Sequence, residues 1–323
     1  MIFHYLDYLQ PPSPFNKIII FGGAGVHLFI LLSGFGLYHS YLNKPLRYGE
    51  FIKKRLLKVY VPYIFVILIS ALISIFIPVY DNSWYALGGH LFLYKMFDNT
   101  IVDSYGFQLW FISTILQFYL AFHIIVWFQS KLKNQWFSTS GVLISIGWMS
   151  FVYFINKGDE RIWNSFFLQY YWEFALGMVI AERVFRSQGL IGENINQLSL
   201  FTLAMTNCAI YGFLALKCGT WGKLYNDFFA LTGYSLLAVL IYNMDLKPMN
   251  RMFLFIGKIS LAVYLLHIVV LLSISKLLPT ANNVYAVTLA LIIILPLSII
   301  YQKIVNNLFN KGKSYRCATT TPA

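Results

Sequence analysis

Two basic side chains three residues apart, Arg55 and Lys58, open an apolar run in Phe51-Ile52-Lys53-Lys54-Arg55-Leu56-Leu57-Lys58-Val59-Tyr60-Val61-Pro62-Tyr63. On a helix, residues at that spacing share a face. At the mouth of a membrane span they suit a phosphate-bearing ligand, Arg55 through a bidentate fork and Lys58 as a point charge. The same residues also suit plain anchoring to anionic lipid, a role that fits Lys53 and Lys54.

Four of the six histidines, His4, His27, His123 and His267, lie in or near apolar runs. An ionisable group at membrane depth is a functional candidate by default, and imidazole is the usual general base near neutral pH. Each is equally a candidate for a hydrogen-bonded packing residue. Asp7, one turn after His4, is placed either to fix the tautomer of that ring or to be solvated at the interface. Glu173 falls inside an apolar stretch, where a carboxylate needs a partner or a polar interior. Asp227, near a boundary, reads as interfacial. Gly22, Gly23, Gly25, Gly34 and Gly36 allow close helix approach or a bend. No phosphate-binding glycine loop, zinc-spaced His/Cys set or Gly-x-Ser-x-Gly elbow is present. Cys208, Cys218 and Cys317 form neither an even disulfide framework nor a metal pattern.

The elements that must position these groups are membrane helices. Of the 323 residues 59% are hydrophobic and 11% charged, with a mean hydropathy of +0.65. A soluble surface carries roughly 25% charged residues. The 29 Phe, 23 Tyr and 8 Trp suit aromatic belts at two interfaces. The net charge of +12 reports basic loops between apolar runs and anionic lipid, not nucleic acid. Nine runs reach the span length of about 20 residues: 18–40, 59–80, 106–128, 136–156, 162–182, 199–216, 224–244, 252–275 and 282–303. They are hydrophobic all round and lack period-2 alternation, which disfavours a β-barrel.

Residues Met1 to Leu9 are apolar and end at Gln10-Pro11-Pro12-Ser13-Pro14, which forbids helix continuation. Nine helical residues cover about 13 Å, less than half of the hydrocarbon core. No Lys or Arg precedes Lys17, so this is not a signal peptide. The stub reads as the second half of a helix. The expected fold is therefore an all-α polytopic bundle of nine full spans and a half-helix. It occupies residues 1–310, with a short cytoplasmic tail at 311–323. Of the 24 Lys and Arg, 17 fall on the side of the 41–58 loop and the tail and 7 on the other. That split puts the C-terminus in the cytoplasm of a multi-pass cell-membrane protein, in bacteria the inner membrane, and the 79–105 loop outside.

Six blocks in order resemble the acyltransferase 3 family of membrane O-acyltransferases. They are Phe3-His4-Tyr5, Gly25-Val26-His27-Leu28-Phe29-Ile30-Leu31-Leu32-Ser33-Gly34-Phe35, and Arg55 to Tyr63. The others are Leu109-Trp110-Phe111-Ile112-Ser113 with Phe118-Tyr119, Glu173-Phe174-Ala175-Leu176-Gly177-Met178, and Gly257 to His267. The resemblance implies a ten-helix core that moves an acyl group, acetyl in the first instance, from acyl-CoA to a hydroxyl of a carbohydrate or lipid-linked glycan. It implies His4 as the catalytic histidine, for which Asp7, by its spacing one turn on, is the candidate orienter. The family's basic residue about three turns upstream of that histidine would lie before Met1. The family's Arg-x-x-Arg appears as Arg55-Leu56-Leu57-Lys58, at the donor phosphates. Ser33, Trp110, Tyr119, Glu173 and His267 fall in matching blocks and are expected along the substrate path. Acyl-CoA is expected as a co-substrate and membrane lipid as a partner, with no resident metal, bound cofactor or nucleic acid. Two other readings are open to the same residues: a transporter or flippase for an amphipathic solute, and a catalytically inactive membrane scaffold.

Overall fold

The computed structural model describes residues 1–187, 196–280 and 282–318, with side chains for all of these except 18, 20 and 309–318. The described residues form helices and contain no strand. In chain order they are α1 (Ile2–Leu9), α2 (Phe15–Ile18), α3 (Gly25–Asn43), α4 (Tyr48–Arg55), α5 (Val61–Phe76), α6 (Trp84–Leu91), α7 (Trp110–Lys131) and α8 (Asn134–Phe154). There follow α9 (Arg161–Asn164), α10 (Tyr171–Phe185), α11 (Gln197–Lys217), α12 (Gly219–Tyr225), α13 (Asp227–Asn243), α14 (Lys247–Leu277) and α15 (Asn283–Ala318).

Among the described residues seven helical runs are long and apolar enough to cross a membrane, or eight if the bent pair α12 and α13 counts as one span. The expected nine full spans are thus reduced, for two physical reasons. The expected span 224–244 is cut at Asn226, where α12 and α13 meet at 45°. The expected span 162–182 is broken into α9, a 3₁₀ turn at Phe167–Tyr170, and α10. At 15 residues α10 is about 22 Å long, short of the hydrocarbon thickness. It is buried on nearly all sides and carries Glu173 and Glu182, so it is an interior helix. Lipid-facing helices instead expose Leu68, Leu72, Ile124, Phe213 and Ile292, as a bilayer solvent requires.

The short helix expected before the prolines forms as α1. Gln10 closes it in the left-handed conformation, its N–H donated to the Asp7 carbonyl, and Pro11 and Pro12 prevent extension. Pro62 lies inside the continuous helical run Tyr48–Phe76 and has no N–H to give the ladder; a π-helical turn at Leu56–Tyr60 comes just before it. Helix α15 runs through Pro296 to Ala318, so the boundary expected at 310 falls inside a helix. Residues 319–323 of the expected tail lie outside the described residues.

The tightest crossing joins α3 to α10. A Cβ built on Gly34 would stand 2.2 Å from the Phe174 carbonyl oxygen, and one on Gly177 2.1 Å from that of Leu31. Only glycine allows the two backbones this approach, the small-residue solution to helix packing in lipid. That crossing brings His27 of α3 to Glu173 of α10.

The segment between α5 and α7 is folded, not an extended loop. Tyr63 of α5 hydrogen-bonds His90 Nδ1 at 2.5 Å, and His90 Nε2 lies 2.9 Å from Ser104 Oγ. Burial pushes His90 down to about 2, so its ring is neutral. Lys95 is fully buried and its Nζ has no hydrogen-bond partner among the described residues. Burial pushes this amine down to about 7, against the opposing pull of Asp103.

Candidate active site

His4 lies on α1 with its ring among Phe3, Phe107 and His267. The His4 and His267 rings face each other with centroids 5.3 Å apart and planes 25° apart. On α14, His267 is 1% exposed. Its Nδ1 lies 2.8 Å from the Tyr264 carbonyl and 3.1 Å from that of Val263, both acceptors. Nδ1 therefore carries the proton, and in the neutral ring Nε2 keeps its lone pair. That Nε2, like His4 Nδ1, is buried without a partner. Tyr5 donates to the His267 carbonyl at 3.0 Å, tying α1 to α14, and Tyr264 donates to the Gln108 carbonyl.

Asp7 is exposed, and among the described residues no hydrogen bond joins it to His4. The ring of His4 is held by its aromatic neighbours instead.

Arg55 precedes and Lys58 lies within a π-helical turn, Leu56–Tyr60, in which the Val61 N–H reaches back to the Leu56 carbonyl. A π-turn is wider than an α-turn and often marks a functional site. It also loosens the shared face expected from the three-residue spacing. Lys58 is exposed, whereas Arg55 is half-buried, over the Phe51 ring at 5.5 Å and in electrostatic contact with Tyr119. Phe51 lies 6.4 Å from the Tyr119 ring, near the middle of α7. Arg55 thus stands inside the bundle and not at its mouth, about 12 Å along the helix from Tyr63, whose hydroxyl interacts electrostatically with Tyr264.

A second polar centre was not assembled from sequence. His27 Nδ1 donates to Glu173 Oε1 at 2.7 Å, and His27 Nε2 lies 3.4 Å from Asp227 Oδ1. Gln169 donates to Asp227 Oδ2 at 2.9 Å. The three charged groups are 7%, 0% and 6% exposed. Asp227 is therefore a buried partner and not an interfacial residue, because α13 turns it inward against α3. Glu173 meets the expected requirement for a partner. The three ligand-type atoms lie close enough to invite a cation. However, both ring nitrogens already point at carboxylates, which suits a protonated imidazole clamping three helices.

The two centres are linked through aromatic rings. Tyr170 lies 5.9 Å from His27 and stacks on Trp110 at 5.9 Å, and Phe111 joins Trp110 to Tyr264. Trp110 and His267 thus belong to one region with His4, and Glu173 borders it. Tyr119 accompanies Arg55. Ser33 stands apart, its hydroxyl donated to Phe29 of its own helix. His27 was one of four candidate histidines in the sequence and was given no site role there; its signal was its place among apolar neighbours in the same block as Gly34.

No curated protein and no solved structure is matched by the chain. One family model, that of an acyltransferase domain, matches residues 1–303. With that match spanning nearly the whole of a multi-pass helical bundle, the chain belongs to the acyltransferase 3 family of membrane acyltransferases.

Proposed function

We propose that this protein transfers an acyl group, acetyl first among them, from acyl-CoA to a hydroxyl of a carbohydrate or lipid-linked glycan at the cell membrane, with its C-terminus in the cytoplasm. The observation that carries the reading is the His4–His267 pair, two facing imidazoles whose ring nitrogens include two that are buried and unpartnered. His4 takes the proton from the acceptor hydroxyl as its oxygen attacks the thioester carbonyl carbon. The tetrahedral intermediate then collapses, the carbon–sulfur bond breaks, and the proton passes to the departing CoA thiolate. The products are an O-acyl ester and free CoA. Arg55, with Lys58, holds the donor phosphates. The roughly 12 Å from Arg55 to the level of Tyr63 suits a donor whose thioester lies at the end of an extended arm.

The reading is tested with labelled acetyl-CoA and purified protein in liposomes, following label in the acceptor and CoA thiol release together. Transfer that depends on the protein supports it; thiol release without acylated product, or neither, overturns it. Topology is tested separately by labelling Cys317 with an impermeant thiol reagent in a Cys218→Ser background. Labelling only after cells are opened is the expected result.

A further inference from the structure

Arg161 is a cation with no acidic partner among the described residues. It begins α9, and its guanidinium lies over the Trp110 ring, 5.3 Å from the centroid. The far contact of that indole is Tyr170, stacked at 5.9 Å, so the cation rests on a fixed aromatic platform. Among the described residues the Arg161 guanidinium makes no hydrogen bond and no ion pair. The acidic neighbours that might have taken it are engaged elsewhere. Glu160 pairs with Lys157 and accepts from Asn99, and Asp159 pairs with Lys223 at 2.9 Å. All five N–H donors of the guanidinium are therefore open to a ligand. Together with Trp110, Ser113, Gln117 and Ser165, Arg161 lines a narrow, open-sided cleft with room for about one water molecule. It also stands within electrostatic reach of His4.

We propose that Arg161 and Trp110 form an acceptor subsite that binds an oxyanion, carboxylate or phosphate, carried by the carbohydrate. This rests on the acyltransferase reading and adds to it the acceptor's charge. A planar guanidinium takes either oxyanion through two parallel hydrogen bonds. The charged group docks at the open side of the cleft against the guanidinium, with the sugar ring outside it, which leaves a hydroxyl free to face His4.

The test is calorimetric titration of the full-length protein in detergent with galacturonate, galactose 1-phosphate, inorganic phosphate and uncharged galactose. Binding of both charged sugars at least tenfold tighter than galactose is the expected result. Arg161→Gln should remove about 10- to 150-fold of that affinity, the worth of a charge-assisted contact, and Arg161→Lys only part of it. Lys217→Gln, at an exposed position away from the cleft, should leave binding unchanged, and thermal unfolding of each variant checks the fold. Charged and neutral sugars bound alike by the wild type, or unchanged affinity in Arg161→Gln, would overturn the proposal. Inorganic phosphate bound as tightly as galactose 1-phosphate would also overturn it, since the site would then read no sugar. The binding arms need no turnover. Failure of acyl transfer in the liposome assay would count against the acyltransferase reading, whereas failure here counts against the subsite.

Discussion

Oε1 of Glu173 stands 2.7 Å from Nδ1 of His27, inside the bundle and fully shielded from solvent. A buried ion pair is weak evidence for net stability, but removing one partner leaves the other uncompensated. His27 answers two carboxylates at once, on α10 and on α13. Replacing His27 with Leu should therefore destabilise the fold by about 3–5 kcal/mol. Glu173→Gln, which can still accept a hydrogen bond, should cost less. Chemical unfolding in detergent, followed by tryptophan fluorescence, measures both.

The glycine crossing makes a sharper demand. Gly34→Ala and Gly177→Ala each place a methyl group against backbone at about 2 Å, which a side-chain rotation cannot relieve. Both should unfold the α3–α10 contact and abolish correctly folded protein. Gly36→Ala, with open space at its Cβ, should be neutral or stabilising by up to about 1 kcal/mol. Size-exclusion profiles and melting temperatures of the three variants decide the matter.

For the histidine pair, a general base is worth about 10²–10⁴ in rate. His4→Ala should lower acyl transfer by that order without changing donor affinity. His267→Ala should also impair transfer, because it removes the ring that faces His4. Full activity in His4→Ala would withdraw the base assignment.

Donor binding separates Arg55 from its neighbours. Arg55→Ala should weaken acyl-CoA binding about 10- to 150-fold, the worth of one charge-assisted phosphate contact. Lys53→Ala, at an exposed position, should change little. Equal losses at both positions would return the basic segment to lipid anchoring.

Lys95 gives the fold a pH dependence. Its amine is pushed from an ordinary 10.5 down to about 7, so between those values the unfolded chain holds a proton that the folded protein lacks. Stability therefore rises with pH from about 7 towards 10.5, and the full burial penalty stands below about 7. Melting temperatures of the wild type should climb across that window. Lys95→Met should raise the melting temperature at neutral pH and flatten the climb.

The membrane character and the end of the short helix α1 were legible because both rest on local composition: apolar runs, and a double proline after Leu9. The broken path through Phe167–Tyr170 was not, since an interior helix is as apolar as a spanning one and length alone separates them. The approach of His4 to His267 spans 263 residues of sequence and that of His27 to Glu173 spans 146, so no local pattern announces either. Arg161 was counted only as a charge for topology. Its isolation became visible once Glu160 and Asp159 were seen to be occupied.

The π-turn at Leu56–Tyr60 has one more consequence. It accommodates an extra residue in an otherwise continuous helix. Deleting one residue there would let the ladder close as a plain α-helix. Everything upstream would then turn by about 100° relative to α5. Arg55, and Phe51 with it, would swing away from Tyr119 while α5 kept its place. The turn thus works as an angular spacer, setting which way the basic side chain points independently of how the helix is held in lipid.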